Sequence, residues 1–357
     1  MNRLRALKYL FVWTGIGMGL LSLHGPGIWS YSLPIYAFGI IPLLEVLLRP
    51  DPHNLANAEL EMVKDDSWYD WQLYLIVPVQ VGLIHGLCWK LSQPGLTTVE
   101  IVGKIWAVGI GCGVMGINVA HELGHRTKKH EQVMAKILLL TSLYMHFFIE
   151  HNRGHHKRVS TPEDPASARR GEWLYTFWFR SVWGSYWSAW EIENKRVRKL
   201  GKPIFSLSNE MVLYHIIQAG LLGLICAVWG WQVMLYYIAA ATSGFLLLET
   251  VNYIEHYGLA RKQLSSGGYE MVQPEHSWNS DHLLGRLLLF ELSRHSDHHY
   301  RASRKYQTLR HMEGSPQMPT GYPGMMVLAL FPPLWFWVMH RELDRGSRGP
   351  SVQAELV

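Results

Sequence analysis

The stretch VGKIWAVGIGCGVMGINVAHELGH, residues 102–125, decides how the rest of this chain is read. From Val102 to Ala120 it carries a single charge, Lys104, and it then ends in two histidines four residues apart, His121 and His125. A helix crossing the hydrocarbon core of a bilayer needs about 20 mostly apolar residues. Side chains at i and i+4 share one helix face. The stretch therefore reads as a membrane helix that delivers two imidazoles to one spot at its end.

Working outward, five more segments have the same apolar character: Tyr9–Leu23, Ile28–Leu48, Leu73–Trp89, Met211–Trp229 and Trp231–Leu248. The last two are separated by Gly230 alone and read as a tight helical hairpin. Tyr9–Leu23 is not a signal peptide, because no small-residue cleavage site follows and a second span comes at once. The expectation is an all-α integral membrane protein with six transmembrane helices, a single domain over residues 1–345 and a tail at 346–357. Arg3, Arg5 and Lys8 precede the first span and orient it with the N-terminus in the cytoplasm. The expected outer loops are nearly free of Lys and Arg, with Lys90 and Lys104 at their edges. Met134–Phe148, Tyr322–Met339 and the Trp-rich Trp173–Trp190 read as helices lying in the interface.

Composition agrees. Of 357 residues, 48% are hydrophobic and 17% charged, against about 25% charged in soluble proteins. That excludes disordered and collagen-like classes. Three cysteines cannot staple a secreted chain of this length. Sixteen tryptophans suit membrane interfaces. The surplus of positive charge follows the positive-inside bias, and no nucleic-acid motif is visible.

Nine of the 19 histidines fall into four groups. His121 and His125 lie in HELGH; His151, His155 and His156 in EHNRGHH; His256 in NYIEHYGL; and His295, His298 and His299 in RHSDHH. At helical spacing each multiple group points two or three imidazoles at one place, with His151 and His155 expected to share a face. Packed together without a metal, they would be left with unpaired nitrogens or repelling cations. If Met134–Phe148 does not cross the bilayer, all nine emerge on the cytoplasmic side. Cys88, Cys112 and Cys226 sit inside apolar segments, so the ligand set is all nitrogen and suits Fe, Cu, Ni or Zn. Nine imidazoles exceed the capacity of one ion. Two irons sharing them keep positions open for oxygen, which favours non-haem iron over zinc with its usual four ligands. HELGH also fits the HExxH of zinc peptidases, with Glu122 as base; the other seven histidines count against that. In the iron reading Glu122, Glu150, Glu255 and Asp297 orient the imidazoles beside them.

The wording HELGH, EHNRGHH, NYIEHYG and LSRHSDHH, followed by Tyr306–Arg310 (YQTLR) and Pro319–Gly324 (PTGYPG), resembles the bacterial alkane 1-monooxygenases of the membrane desaturase and hydroxylase superfamily. It departs only slightly from the family, at LSRHSDHHY, and touches no histidine there. The resemblance implies a di-iron enzyme of the inner membrane that uses O2 to convert medium- to long-chain n-alkanes to 1-alkanols. Xylene-type hydroxylation and lipid desaturation are the alternatives on the same scaffold. It implies electrons from NAD(P)H through rubredoxin reductase and rubredoxin. No CxxC pair is present, so the rubredoxin is expected as a separate chain. Lys195, Arg196, Arg198 and Lys199, with Arg301, Arg304 and Lys305, are candidates for docking an acidic donor. Spans one, two, four and six are the expected walls of a substrate tunnel. Gly109, Gly111, Gly113 and Gly116 in span four serve either that tunnel or close helix packing.

Overall fold

The computed structural model describes residues 5–346. Arg3 and all but the first residue of the expected 346–357 tail lie outside them. Among the described residues the regular elements are helices, and β pairing is limited to two isolated bridges. A 3-10 turn, Leu7–Phe11, runs into α1 (Val12–His24). At about 2.0 and 1.5 Å per residue the two reach about 30 Å, one hydrocarbon thickness. Five helices are long and apolar enough to cross a membrane: α2 (Gly27–Leu47), α3 (Ser67–Leu91), α4 (Thr98–Gly124), α7 (Glu210–Trp229) and α8 (Trp231–His256). Between α4 and α7 stand α5 (Lys129–Thr141) and α6 (Leu174–Lys199). The chain ends in the short helices α9 (Leu283–Leu288), α10 (His295–Tyr300) and α11 (Tyr322–Ala329), then α12 (Pro332–Gly346). This is a multi-pass membrane protein.

The helix ends follow from local chemistry. Asp66 accepts from the Trp68 N–H at the start of α3, and Thr97 and Glu100 form a capping box at the start of α4. Gly230 takes φ +91° in the turn between α7 and α8, which a side chain would strain. Lys104, expected at the edge of an outer loop, is instead buried. Its Nζ donates to the carbonyls of Ser22 and Gly25 at 3.1 and 2.8 Å, satisfying the C-terminus of α1. Small residues let α4 and α8 touch. A methyl group at Gly113 would stand 3.0 Å from the Gly244 carbonyl, and one at Gly109 would stand 2.9 Å from the Ala240 carbonyl. Glu45 of α2 is buried and accepts from the Gly285 N–H of α9 at 2.7 Å. Its carboxylate fills the place a side chain at Gly321 would need, so PTGYPG requires glycine there.

The Met134–Phe148 segment does not lie across the ends of the spans. α5 enters between them and reverses at Ser142–Leu143, where Leu143 takes φ +51°. The Ser142 hydroxyl donates to the carbonyl of Cys112, a residue in the middle of α4. Tyr237 of α8 donates to the carbonyls of Leu140 and Thr141, and Gln80 of α3 donates to the Thr141 hydroxyl. Gln218 of α7 accepts from the Met145 N–H. Irregular backbone among apolar spans persists only where such partners satisfy it. The segment therefore dips and returns on the side it came from. Tyr322–Met339 is also not one helix: it breaks at Leu330–Phe331 ahead of Pro332 and Pro333, which separate α11 from α12.

α6 spans the ends of α7 and α8 at one depth. Ser181 donates to Glu249 and Trp178 to Thr250, near the C-terminus of α8. Glu193 accepts from the Glu210 N–H at the N-terminus of α7. Both contacts fall close to the same ends of the two spans, so the helix lies across them. Phe179, Trp183 and Trp187 face outward.

Candidate metal centre

Nine imidazoles converge beyond the ends of α4 and α8, in two adjoining groups. The first holds His121, His125, His151, His156 and His298; the second holds His155, His256, His295 and His299. Within each group one ring nitrogen per residue lies within 4.8 Å of all the others. The Nε2 atoms of His121 and His298 are 2.9 Å apart. Those of His156 stand 3.0 Å from His151 and 3.2 Å from both His125 and His298. In the second group the Nε2 pairs are His155–His299 at 3.2 Å and His256–His295 at 3.3 Å.

The helical spacing does not partition them. His151 and His155 are four residues apart, yet they belong to different groups. His151–His155 forms a π-helical turn. Its wider turn brings His151 into register with His156, five residues on, and rotates His155 away. A second π-helical turn, Cys112–Ile117, precedes the HELGH helix. In α10, His295 and His299 face the second group, and His298 faces the first.

The nitrogens fit a metal. Two imidazole nitrogens bound about 2.1 Å from one ion at right angles stand about 3 Å apart, the spacing seen here. Without a cation the Nε2 of His156 would face three others, and most of those contacts would lack a hydrogen to share. Burial drives the His125 pKa down to about 3. Burial, followed by the charges of neighbouring imidazoles, holds His151, His156, His295, His298 and His299 well below their ordinary value. They stay neutral, as metal binding requires. His155 differs: burial pulls it down, but Asp164 raises it above the ordinary value.

Asp164 is the residue that spacing missed. Fully buried, it places Oδ2 2.9 Å from the Nδ1 of His155. It also accepts from the Ser167 hydroxyl and the Ala166 N–H. It lies nine residues beyond His155 in a loop, outside any helical register.

The four expected carboxylates divide. Glu255 reaches a histidine, but on the metal side: its Oε2 is 3.2 Å from the Nε2 of His295. Glu122 instead pairs with Arg126 at 2.6 Å and accepts from the Tyr306 N–H. Glu150, lifted to about 7 by burial and then by the charge of Asp164, pairs with Arg158. Asp297 pairs with Arg304 and Arg310 and ties α10 to the turn after it. Among the described hydrogen bonds those three have arginine, backbone or hydroxyl partners and no imidazole.

The basic residues also divide. Lys195, Arg196, Arg198 and Lys199 sit at the end of α6, and Arg301, Arg304 and Lys305 sit after α10. No hydrogen bond or ion pair joins the two sets among the described residues. Arg196 is held by Glu193, Arg304 by Asp297 and Lys305 by Asp70. Lys195, Arg198, Lys199 and Arg301 are exposed.

Beside the imidazoles lies an apolar cavity enclosing about 860 Å³ not filled by atoms, its open mouth included. Its walls come from α1, α2, α4 and α8, closed by Leu288, Leu289, Leu292, Pro323 and Met326. These are the four spans expected to line a tunnel. Gly111 and Gly113 line it, whereas Gly109 and Gly116 pack against Ser243 and Ser142. A smaller recess, lined by Asn118, His121, Glu122 and His298, shares Asn118, Leu289 and Leu292 with the cavity and so adjoins both it and the first histidine group.

Buried helices presenting histidine boxes of this kind define a class, and the sequence profile described as fatty acid desaturase matches residues 101–339, which contain all nine histidines. Within that class the chain is 41% identical over 332 residues to alkane 1-monooxygenase 1 of Pseudomonas aeruginosa, covering 92% of this chain and 86% of the relative. It is 39% identical over 321 residues to alkane 1-monooxygenase 1 of Alcanivorax borkumensis, covering 90% and 79%. To the xylene/toluene monooxygenase hydroxylase component of Pseudomonas putida it is 28% identical over 340 residues, covering 92% and 86%. The chain belongs to the alkane 1-monooxygenase family, a branch of the fatty acid desaturase family.

Proposed function

We propose that the chain hydroxylates the terminal carbon of medium- to long-chain n-alkanes. The alkane, O2, two electrons and two protons yield the 1-alkanol and water. The observation that carries this reading is nine converging imidazoles next to a cavity with almost no polar lining. Two irons, one in each histidine group, would supply the activation of dioxygen and the oxidising power. The nine histidines hold them, and Asp164 fixes the Nδ1–H tautomer of His155 so that Nε2 is free to bind. The apolar walls hold the chain by burial and keep water away from the reacting carbon.

An alkane partitions into lipid, and a cavity walled by membrane helices takes it from there. In this reading α1 is the sixth span, residues 1–345 form one domain, and both termini and the metal centre face the cytoplasm at the inner membrane. The dipping α5 segment supports that topology, because it returns on one side and keeps all nine histidines together. Electrons come from a separate reduced rubredoxin served by its reductase. It docks over the exposed Lys195, Arg198, Lys199 and Arg301; Arg196, Arg304 and Lys305 hold internal carboxylates, so their replacement would damage the fold first.

The test is product analysis by mass spectrometry. Membranes holding the protein receive rubredoxin, reductase, NADH and oxygen-18 gas, with octane, dodecane, hexadecane, p-xylene and a fatty acyl substrate. A labelled 1-alkanol is expected. A benzylic alcohol as the main product, or an alkene, would overturn the assignment.

A further inference from the structure

The reactive end of the cavity carries one unoccupied hydrogen-bond acceptor. Only two lining residues have polar side chains, Tyr36 and Asn118. The Tyr36 hydroxyl is paired with the Thr14 hydroxyl at 2.6 Å. Asn118, in the last two turns of α4 and three residues before His121, borders both the cavity and the recess holding His121 and His298. Its residue is 94% buried, and its Nδ2 donates to the Leu289 carbonyl at 3.1 Å. That bond satisfies the end of α9 and fixes which way the amide points. Oδ1, on the other side, accepts no hydrogen bond from the described residues.

An alkane has nothing to offer this oxygen. A primary alcohol does, and its O–H forms at the end of the chain that faces the histidines. We infer that Asn118 Oδ1 is a subsite for the hydroxyl of the product, so that the cavity distinguishes a 1-alkanol from the alkane it came from. The inference rests on the cavity being the substrate chamber. Its consequence is that the alcohol competes with the next alkane, and Asn118 sets how strongly. Asn118 acts on binding and release and leaves the oxidation to the metal centre.

The test uses the metal-loaded protein in nanodiscs, with radiolabelled dodecane displaced by 1-dodecanol or by dodecyl methyl ether, which lacks the O–H. Partition into protein-free nanodiscs is subtracted. A net hydrogen bond corresponds to about a 2- to 10-fold preference. The unmodified protein should prefer the alcohol over the ether by that factor. Asn118→Leu should bring the alcohol-to-ether ratio to about one, the ratio cancelling any change in apolar packing, and Asn118→Gln should restore part of it. In turnover, the ratio of the 1-dodecanol inhibition constant to the KM for dodecane should rise in Asn118→Leu. The same alcohol-to-ether ratio in Asn118→Leu as in the unmodified protein would overturn the inference. An absent preference in the unmodified protein would do so without any variant. Filling the cavity by Gly15→Phe with no loss of dodecane binding would instead sink the chamber itself.

Discussion

The two histidine groups lie side by side but are not equivalent. The first has five imidazoles and, among the described residues, no carboxylate within hydrogen-bond reach of a ring; two of its members, His125 and His156, are only partly buried. The second has four imidazoles, all buried, with Asp164 behind His155 and Glu255 beside the Nε2 of His295. The second thus has the carboxylate of Asp164 behind one imidazole where the first has a fifth nitrogen. The first also borders the recess that adjoins the cavity. A cation in the second group would be held by charge in a buried site, where electrostatics act strongly. A cation in the first group would lie nearer to the apolar cavity.

The hardest blow to this contrast is the loss of one ligand from each side. His151→Ala and His299→Ala should each reduce activity to below about 1%, since even an outer partner of a ligand is worth about 10- to 100-fold. Iron measured by mass spectrometry should fall by about one ion per chain in each. If either substitution emptied both positions, the groups would be one site. A gentler cut separates the groups by charge. Asp164→Asn should weaken iron retention against a chelator by about 10- to 100-fold for one ion only. Equal loss of both irons would mean that Asp164 serves the fold and not His155.

The cavity side can be sharpened by size. A Cβ at Gly15 would meet only Leu288, at 3.8 Å, so Gly15→Val can enter the cavity without disturbing the packing. The ratio of products from hexadecane and octane should shift several-fold toward octane. An unchanged ratio would remove α1 from the substrate wall.

The smallest effect concerns the support beneath the first group. Glu291 is buried among Lys8, Tyr9 and Arg286. Burial raises its pKa, but Arg286, Lys8 and Arg294 bring it down to about 2. A depressed carboxyl stabilises the fold fully above its unfolded value of about 4.3, and that contribution is lost as pH falls from there toward 2. Thermal unfolding in detergent should drop over that window, and Glu291→Gln should start lower and flatten the dependence. A variant with the same pH profile would clear Glu291 of this role.

Much of the fold is legible because membranes impose a simple rule: an apolar run of span length becomes a helix. The Gly230 hairpin follows from the same rule with a glycine between two runs. Met134–Phe148 escaped it. Its residues are apolar enough for an interfacial helix, and only its contacts with Gln80, Gln218 and Tyr237 on three separate spans reveal that it is received among them. The carboxylates escaped for another reason. Adjacency in sequence suggested Glu122, Glu150 and Asp297, yet each found a nearby arginine, while Asp164 reached His155 from a loop.

The sequence by itself determined that the protein is built of membrane-length helices, that nine histidines stand in four boxes near helix ends, and to which family the chain belongs, because hydropathy and residue identity need no partner to be read. Tertiary structure alone decided which histidines share a position. Helical spacing assumes 3.6 residues per turn, and the π-helical turn at His151–His155 adds about one residue to it, so one residue of backbone phase sends His155 to one group and His151 with His156 to the other. The turn packs against α6, where Gly154 leaves room for Ile192, a contact that no spacing within the box records.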